Sequence, residues 1–298
     1  MITDFRGKTA FVTGGASGIG LGMARAFGRA GMNVVIADID KKAAAAAVEQ
    51  LAAQQIKAAP VFCDVSERGS VREAALESIA AFGKVHVVCN NAGVAVGGQM
   101  GSVGARDWDW IIDVNLKGVV YGTETFVPLM KSHGEGGHFV NTASMAGMVS
   151  PPGLEPYCAT KFAVVAMSEG WFAQLAPMNI GVSVLCPGFV RTRIHESGRG
   201  RQDKYGGQGD VDPGVAATRD AAAQAVLSGI DPDIVGERVL EAVKAGELHI
   251  FTHPNMKPFV EARFQMILSA FDKADHSQAL KAVKDWAPAP MLDPGVTP

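Results

Sequence analysis

Tyr157 and Lys161 stand four residues apart in a run, 157–176, whose composition and apolar spacing predict a helix. Side chains at i and i+4 share one helical face. An ammonium beside a phenol favours the phenolate and draws the tyrosine below its ordinary pKa of about 10. A tyrosine so placed can act as general acid or base near neutral pH. A solvated helix face carries the same pair with no chemistry, so the pair alone decides nothing. Ser144, at the end of a neighbouring predicted strand, turns it into a candidate constellation.

A second set of residues could hold the reagent. Thr13-Gly14-Gly15-Ala16-Ser17-Gly18-Ile19-Gly20 joins an apolar strand to a helix. Glycines let the chain turn tightly and bring backbone N–H groups close to a pyrophosphate, and the helix N-terminus adds its positive dipole end. Ordinary turns also use glycine, so the strand-turn-helix context carries the reading. Asp38 ends the second predicted strand, twenty residues after Gly18. A carboxylate there accepts both adenosine ribose hydroxyls and repels a 2′-phosphate, which points to NAD rather than NADP. Asp38 could also cap the helix that begins at Lys41, and Lys41 and Lys42 could reach a phosphate.

The elements that would position these residues alternate along the chain. Strands are predicted at 8–13, 33–37, 58–62, 85–89, 138–142 and 181–185, and helices at 18–30, 41–54, 70–82, 108–130 and 157–176. This order implies an α/β fold: a doubly wound, Rossmann-like parallel sheet with helices on both faces. Residues 197–214 are Gly-rich and polar, and read as structureless. A helix at 232–245, a strand at 248–251 and helices at 258–271 and 278–286 follow, then an extended tail from Ala287 with four prolines. We read 1–298 as a single Rossmann-type domain, with a flexible substrate lid at 193–230 and a C-terminal extension at 252–298 that adds helices. No internal repeat is visible.

Composition narrows the class. Over 298 residues, 48% hydrophobic and 19% charged content suits one chain that buries its core without metals or disulfides. The net charge of −3 argues against nucleic acid as a partner. The four cysteines form no C-x-x-C pair and the seven histidines no ligand spacing, so reduced thiols and no metal are expected. No apolar h-region opens the chain, and no apolar run approaches the roughly 20 residues of a membrane span. A cytoplasmic protein with no membrane partner is the expectation.

The loop spacing T-G-x-x-x-G-x-G resembles the short-chain dehydrogenase/reductase family, and further motifs match in order. Asn90-Asn91-Ala92-Gly93 follows strand four, and Asn115 sits in Asp113-Val114-Asn115. Ser144 precedes Tyr157-Cys158-Ala159-Thr160-Lys161 by the thirteen residues the family uses, and Pro187-Gly188 and Thr192 follow strand six. The resemblance covers roughly residues 6–248. It implies that Tyr157 is the acid/base and that Ser144 binds the substrate oxygen. Lys161 would hold the nicotinamide ribose, and Asn115 would anchor a proton-relaying water. Gly14, Ser17, Gly18, Ile19, Gly20, Asp38, Asp64, Val65, Asn91, Ala92, Gly93, Pro187, Gly188, Val190 and Thr192 would line the cofactor cleft. Asp64 would stand by the adenine, with Val190 and Thr192 at the carboxamide.

The substrate side is read from position. Val94, Val96, Met145, Leu154, Phe189 and Ile194 fall beyond the carboxyl ends of strands four to six and favour a hydrophobic or aryl alcohol or ketone, although each fits core packing equally well. Apolar residues of the C-terminal extension, among them Phe259, Phe264 and Phe271, have the spacing of core or subunit interface, in a homodimer or homotetramer. The extension resembles a subgroup acting on benzylic and lignin-derived aryl alcohols. Arg191, Arg193, Arg199 and Arg201 could instead draw an acidic carrier to a 3-oxoacyl-carrier-protein reductase. A catalytically silent nucleotide-binding protein is the alternative of a different class.

Overall fold

The protein is described from a computed structural model, which places residues 2, 4–207 and 223–283. The chain divides into two compact units, Met1–Thr252 and His253–Pro298. The first holds a seven-stranded, all-parallel sheet of order β3-β2-β1-β4-β5-β6-β7. Its strands are β1 Thr9–Thr13, β2 Asn33–Asp38, β3 Ala58–Phe62, β4 Val87–Asn90, β5 Gly137–Thr142, β6 Ile180–Cys186 and β7 His249–Phe251. The helices are α1 Gly18–Arg29, α2 Lys41–Ala52, α3 Arg68–Phe82, α4 Ala105–Ile112, α5 Gly118–His133, α6 Glu155–Leu175 and α7 Pro232–Ala245.

The near-continuous apolar strands bury both faces, as a parallel sheet covered by helices requires. Val12, Val34, Ile36 and Val87 pack with residues of α1, α2 and α7 on one face, and Phe11, Val35, Val88 and Phe139 with α3, α4 and α5 on the other. The Phe11 and Phe126 rings meet at 4.7 Å between centroids, tying α5 to the sheet. The helices α1 and α7 approach backbone to backbone: a Cβ on Gly22 would lie 2.2 Å from the Pro232 carbonyl oxygen, and one on Gly236 2.2 Å from that of Gly22. The strand order reverses between β1 and β4, so a cleft opens beyond the carboxyl ends of those two strands.

Two elements differ from expectation. The helix predicted over 108–130 is broken by one π-helical turn, Asp113–Lys117, between α4 and α5. The wide turn carries Asn115 inward, where its side chain is fully buried. The stretch read as structureless from 197 is shaped as far as 207, with 3-10 turns at Ile194–Gly200 and Asp203–Tyr205. Its polar side chains, a sign of disorder by composition, find partners across the cleft. Residues 208–222, the middle of the expected lid, and the tail from 284 lie outside the described residues.

The second unit holds α8, Lys257–Asp275, and a 3-10 turn, Gln278–Val283. The helix buries none of its residues: Phe259, Phe264, Met266, Leu268 and Phe271 are all exposed. Among the described residues no helix is long and apolar enough to cross a membrane.

Candidate active site

Each chemical residue sits at an element end fixed by local sequence. Ser144 follows β5, and its hydroxyl accepts from the Ala146 amide at 3.1 Å, pinning the side chain in a short 3-10 turn. Glu155 and Pro156 open α6, where a missing N–H costs nothing, so that helix starts two residues before Tyr157. Lys161 lies one turn on, 3% exposed, and its Nζ donates to the Thr142 carbonyl oxygen at 2.8 Å. Ser144, Tyr157 and Lys161 thus converge at the carboxyl end of β5. Tyr157 and Ser144 share a hydrogen bond, and Lys161 Nζ is 5.5 Å from the Tyr157 ring centroid.

The electrostatics correct one expectation. Burial pushes the Tyr157 phenol up to about 12, against the hydrogen bond from Ser144, which pulls it down. Burial likewise pushes Lys161 down to about 8. Lys161 alone therefore does not lower the tyrosine: its ammonium is spent on the Thr142 carbonyl, and both groups sit where charge is poorly solvated.

Asn115 holds the floor of the site. Its Oδ1 accepts from the Val94 amide at 2.8 Å, and its Nδ2 donates to the Val94 carbonyl at 2.9 Å and to Thr160 Oγ1 at 3.4 Å. It thereby clamps the loop after β4 to α6. Thr13, which sequence reasoning quoted only as the start of the glycine loop, does the same at β1. Its hydroxyl accepts from the amides of Asn91 and Ala92, at 2.9 and 3.0 Å, and donates to the Cys89 carbonyl. The Asn91 side chain in turn donates to the Thr13 carbonyl at 3.0 Å.

The glycine turn fits a dinucleotide. Gly14 has φ +61°, and a Cβ there would stand 2.9 Å from the Ala92 Cα; one on Gly20 would stand 2.2 Å from the Gly14 oxygen. The glycine loop therefore meets the Ala92 backbone directly, with the Asn91 side-chain amide donating to the Thr13 and Gly14 carbonyls beside it. Ser17 does not cap α1 with its side chain, so the first-turn amides around Gly18 and Ile19 remain for an anion. Thr192 lies against Gly18.

Asp38 accepts from the Ala16 amide at 3.1 Å and the Asp40 amide at 3.0 Å, and burial raises its pKa. The cap of α2 is Asp40, whose carboxylate takes the Lys42 and Ala43 amides, so Asp38 is free of that duty. Lys41 lies over the Phe62 ring, 4.7 Å from its centroid. Asp64 takes Ser66 on one oxygen and the Gln202 amide nitrogen, at 2.8 Å, on the other. Val65 is buried beside Gly118, and Pro187 and Val190 are buried after β6.

The expected substrate residues divide. Val94 and Val96 are half-buried in the loop after β4, and Leu154 stands across from them, near Gly97, where the Gly98 amide donates to the Gly153 carbonyl at 2.9 Å. Met145 is 4% exposed, which suits packing better than contact with a ligand. Phe189 is exposed and Ile194 half-buried in the segment beyond β6. Of the four arginines, Arg191, Arg193 and Arg201 pair with Asp231, Glu196 and Asp107, and Arg199 donates to the carbonyls of Arg193 and Glu196. They do not form an open basic patch. Among the described residues one trio, His86, His133 and Glu135, brings potential metal ligands within 4.8 Å, but at the amino end of the sheet. Its imidazole nitrogens are already hydrogen-bonded.

Comparison with known proteins agrees with this geometry. The profile of the family described as short chain dehydrogenase matches residues 8–203. The chain belongs to the short-chain dehydrogenase/reductase family, and is an oxidoreductase acting on CH–OH groups. It is 34% identical over 291 residues to the C alpha-dehydrogenase of a Sphingobium species, covering 95% of this chain and 94% of that one. It is also 34% identical over 190 residues to a Thermotoga maritima 3-oxoacyl-[acyl-carrier-protein] reductase, covering 64% of this chain and 77% of that one. Its fold matches the crystal structure of a Burkholderia phymatum short chain dehydrogenase/reductase in complex with NAD, at TM-score 0.87 and 36% identity, covering 90% and 97% of the two chains.

Proposed function

We propose that the protein interconverts a hydrophobic, aryl-bearing secondary alcohol and its ketone, with NAD as cofactor. The observation that carries this reading is the convergence of Ser144, Tyr157 and Lys161 beside the glycine turn and Asp38. NAD, when bound, supplies the site with its hydride acceptor or donor. Tyr157 takes the hydroxyl proton during oxidation and returns it during reduction. Ser144 donates a hydrogen bond to the substrate oxygen and steadies charge that develops there. Lys161, whose Nζ already sits among the loops, holds the nicotinamide ribose hydroxyls, and only together with the positive charge of the oxidised nicotinamide would it favour the tyrosinate. Asn115 fixes the Val94 backbone and retains one acceptor lone pair toward a relay water.

Asp38 supports NAD over NADP, because its carboxylate is not used as a helix cap and a 2′-phosphate would meet it directly. Val94, Val96 and Leu154 at the rim support an apolar substrate. The pairing of the arginines weighs against an acidic carrier, despite the likeness to a carrier-protein reductase. A cytoplasmic homodimer or homotetramer is the compartment and assembly this reading expects.

The test is Tyr157→Phe with a panel of secondary alcohols and ketones. Turnover should fall by about 10²–10⁴-fold while NAD affinity stays within about threefold. Comparable turnover in the variant would remove Tyr157 from the mechanism.

A further inference from the structure

The described part of the segment beyond β6, as far as residue 207, runs from the loop after β4 to the adenosine end of the cleft. From Thr192, beside Gly18, it runs past the Ala95 amide, which donates to Ser197 Oγ at 3.1 Å. It then passes Ile39, where a Cβ on Gly200 would lie 3.8 Å from Cγ2, and Arg199 comes close enough to act on the charge of Asp38. Gln202 Nε2 donates to Asp64 Oδ2 at 2.8 Å, Tyr205 Oη donates to Asp113 Oδ2 at 2.7 Å, and Lys204 pairs with Glu67. Arg201 is stacked over the Trp110 ring at 5.1 Å, pairs with Asp107 and donates to the Tyr205 carbonyl. Asp38 and Asp64, the two acids read as facing the adenosine, thus both face this segment.

We propose that residues 199–205 form a strap that occupies the adenosine end of the cofactor cleft and must swing out before the dinucleotide seats. Gln202 makes on Asp64 the hydrogen bond that an adenine amino group would make. The inference rests on the dinucleotide reading above. The strap is held by side-chain contacts: the Arg201–Asp107, Gln202–Asp64 and Tyr205–Asp113 bonds are partly buried, with Tyr205 anchored against the core, while the Lys204–Glu67 pair lies at the surface, where ion pairs contribute little. It also carries its own release: Gln202 Oε1 is buried with no hydrogen-bond partner, and regains water on opening. The apparent affinity for NAD is the intrinsic affinity reduced by the fraction of molecules with the strap open.

Hydrogen exchange of the cofactor-free protein, read by mass spectrometry over residues 197–207, tests this together with calorimetric binding of NAD, AMP and nicotinamide mononucleotide. NAD and AMP should each speed exchange of the strap several-fold, and nicotinamide mononucleotide should not. Gln202→Ala should speed strap exchange without nucleotide and tighten NAD by about 3–10-fold. Gln202→Glu should do more, because it sets two carboxylates face to face. Slower strap exchange on NAD binding, with weaker NAD binding in Gln202→Ala, would make the strap a clasp over bound adenosine and overturn the proposal. Unchanged exchange despite NAD binding would overturn it too. Failure of any nucleotide to bind wild-type protein would instead remove the dinucleotide reading, and the strap with it.

Discussion

Replacing Asn115 by Ala isolates the clamp between the loop after β4 and helix α6. The variant loses the 2.8 and 2.9 Å bonds to the Val94 backbone and the long 3.4 Å contact with Thr160. Each good bond is worth roughly 1 kcal/mol net, and the stranded Val94 groups add roughly 0.5–1 kcal/mol between them, since Val94 is only half-buried and water replaces part of the loss. The sum is about 3 kcal/mol. At roughly 2 cal/mol/K per residue, unfolding entropy for a chain of this size is about 0.6 kcal/mol/K, so the melting temperature should drop by about 5 °C. Thr160→Val removes only the weak contact and a bond to the Tyr157 carbonyl, and should cost under about 2 °C. Activity in Asn115→Ala should fall through kcat, because Asn115 and Lys161 both border Gly93: a Cβ there would lie 3.5 Å from Asn115 Oδ1 and 3.6 Å from Lys161 Nζ. Differential scanning calorimetry and steady-state kinetics read both effects. A melting temperature within 1 °C of wild type would show that the clamp is not structural and refute the argument.

In cofactor-free protein Tyr157 should show no phenolate at 295 nm below about pH 11, since burial pushes it up to about 12; a phenolate that titrates below pH 10 and vanishes in Tyr157→Phe would contradict this. His138 is buried with its Nε2 on Ser183 Oγ at 2.8 Å, and burial lowers its pKa to about 3. Its folded pKa lies below the unfolded value, so the neutral ring's contribution is whole above pH ~6.5 and shrinks as pH falls toward 3; between pH 6.5 and 5 it should lose about 2 kcal/mol, a slope that His138→Gln should flatten in urea melts. Asp38→Ala should weaken NAD more than NADP and shrink a wild-type preference of at least about tenfold in kcat/KM, and an unchanged preference would show that Asp38 does not face the ribose. Gly14→Ala should abolish dinucleotide binding, because the left-handed φ and the 2.9 Å approach to Ala92 both exclude a side chain; wild-type affinity in calorimetry would count against the cradle.

The fold and the chemical residues could be read along the chain because both depend on local signals. Runs such as NVVIAD alternate with helical patterns, and only a parallel sheet flanked by helices buries them all. The glycine turn announces itself by composition, and the Tyr157–Lys161 pair by its spacing of one helical turn. The expected long helix at 108–130 failed because a π turn needs a tertiary reason, here the Val94 backbone waiting for Asn115. From sequence Asp38 is weighed as the cap of the helix at Lys41 and Asp40 is overlooked; backbone geometry assigns the cap to Asp40. The tyrosine pKa went the other way because spacing reports proximity but not solvation. Residues 197–207 read as formless because Arg, Gln, Lys and Gly have no intrinsic order. Their partners, Asp64, Glu67, Asp107 and Asp113, lie roughly 90–140 positions away, and only folding brings those carboxylates to the rim that the segment crosses.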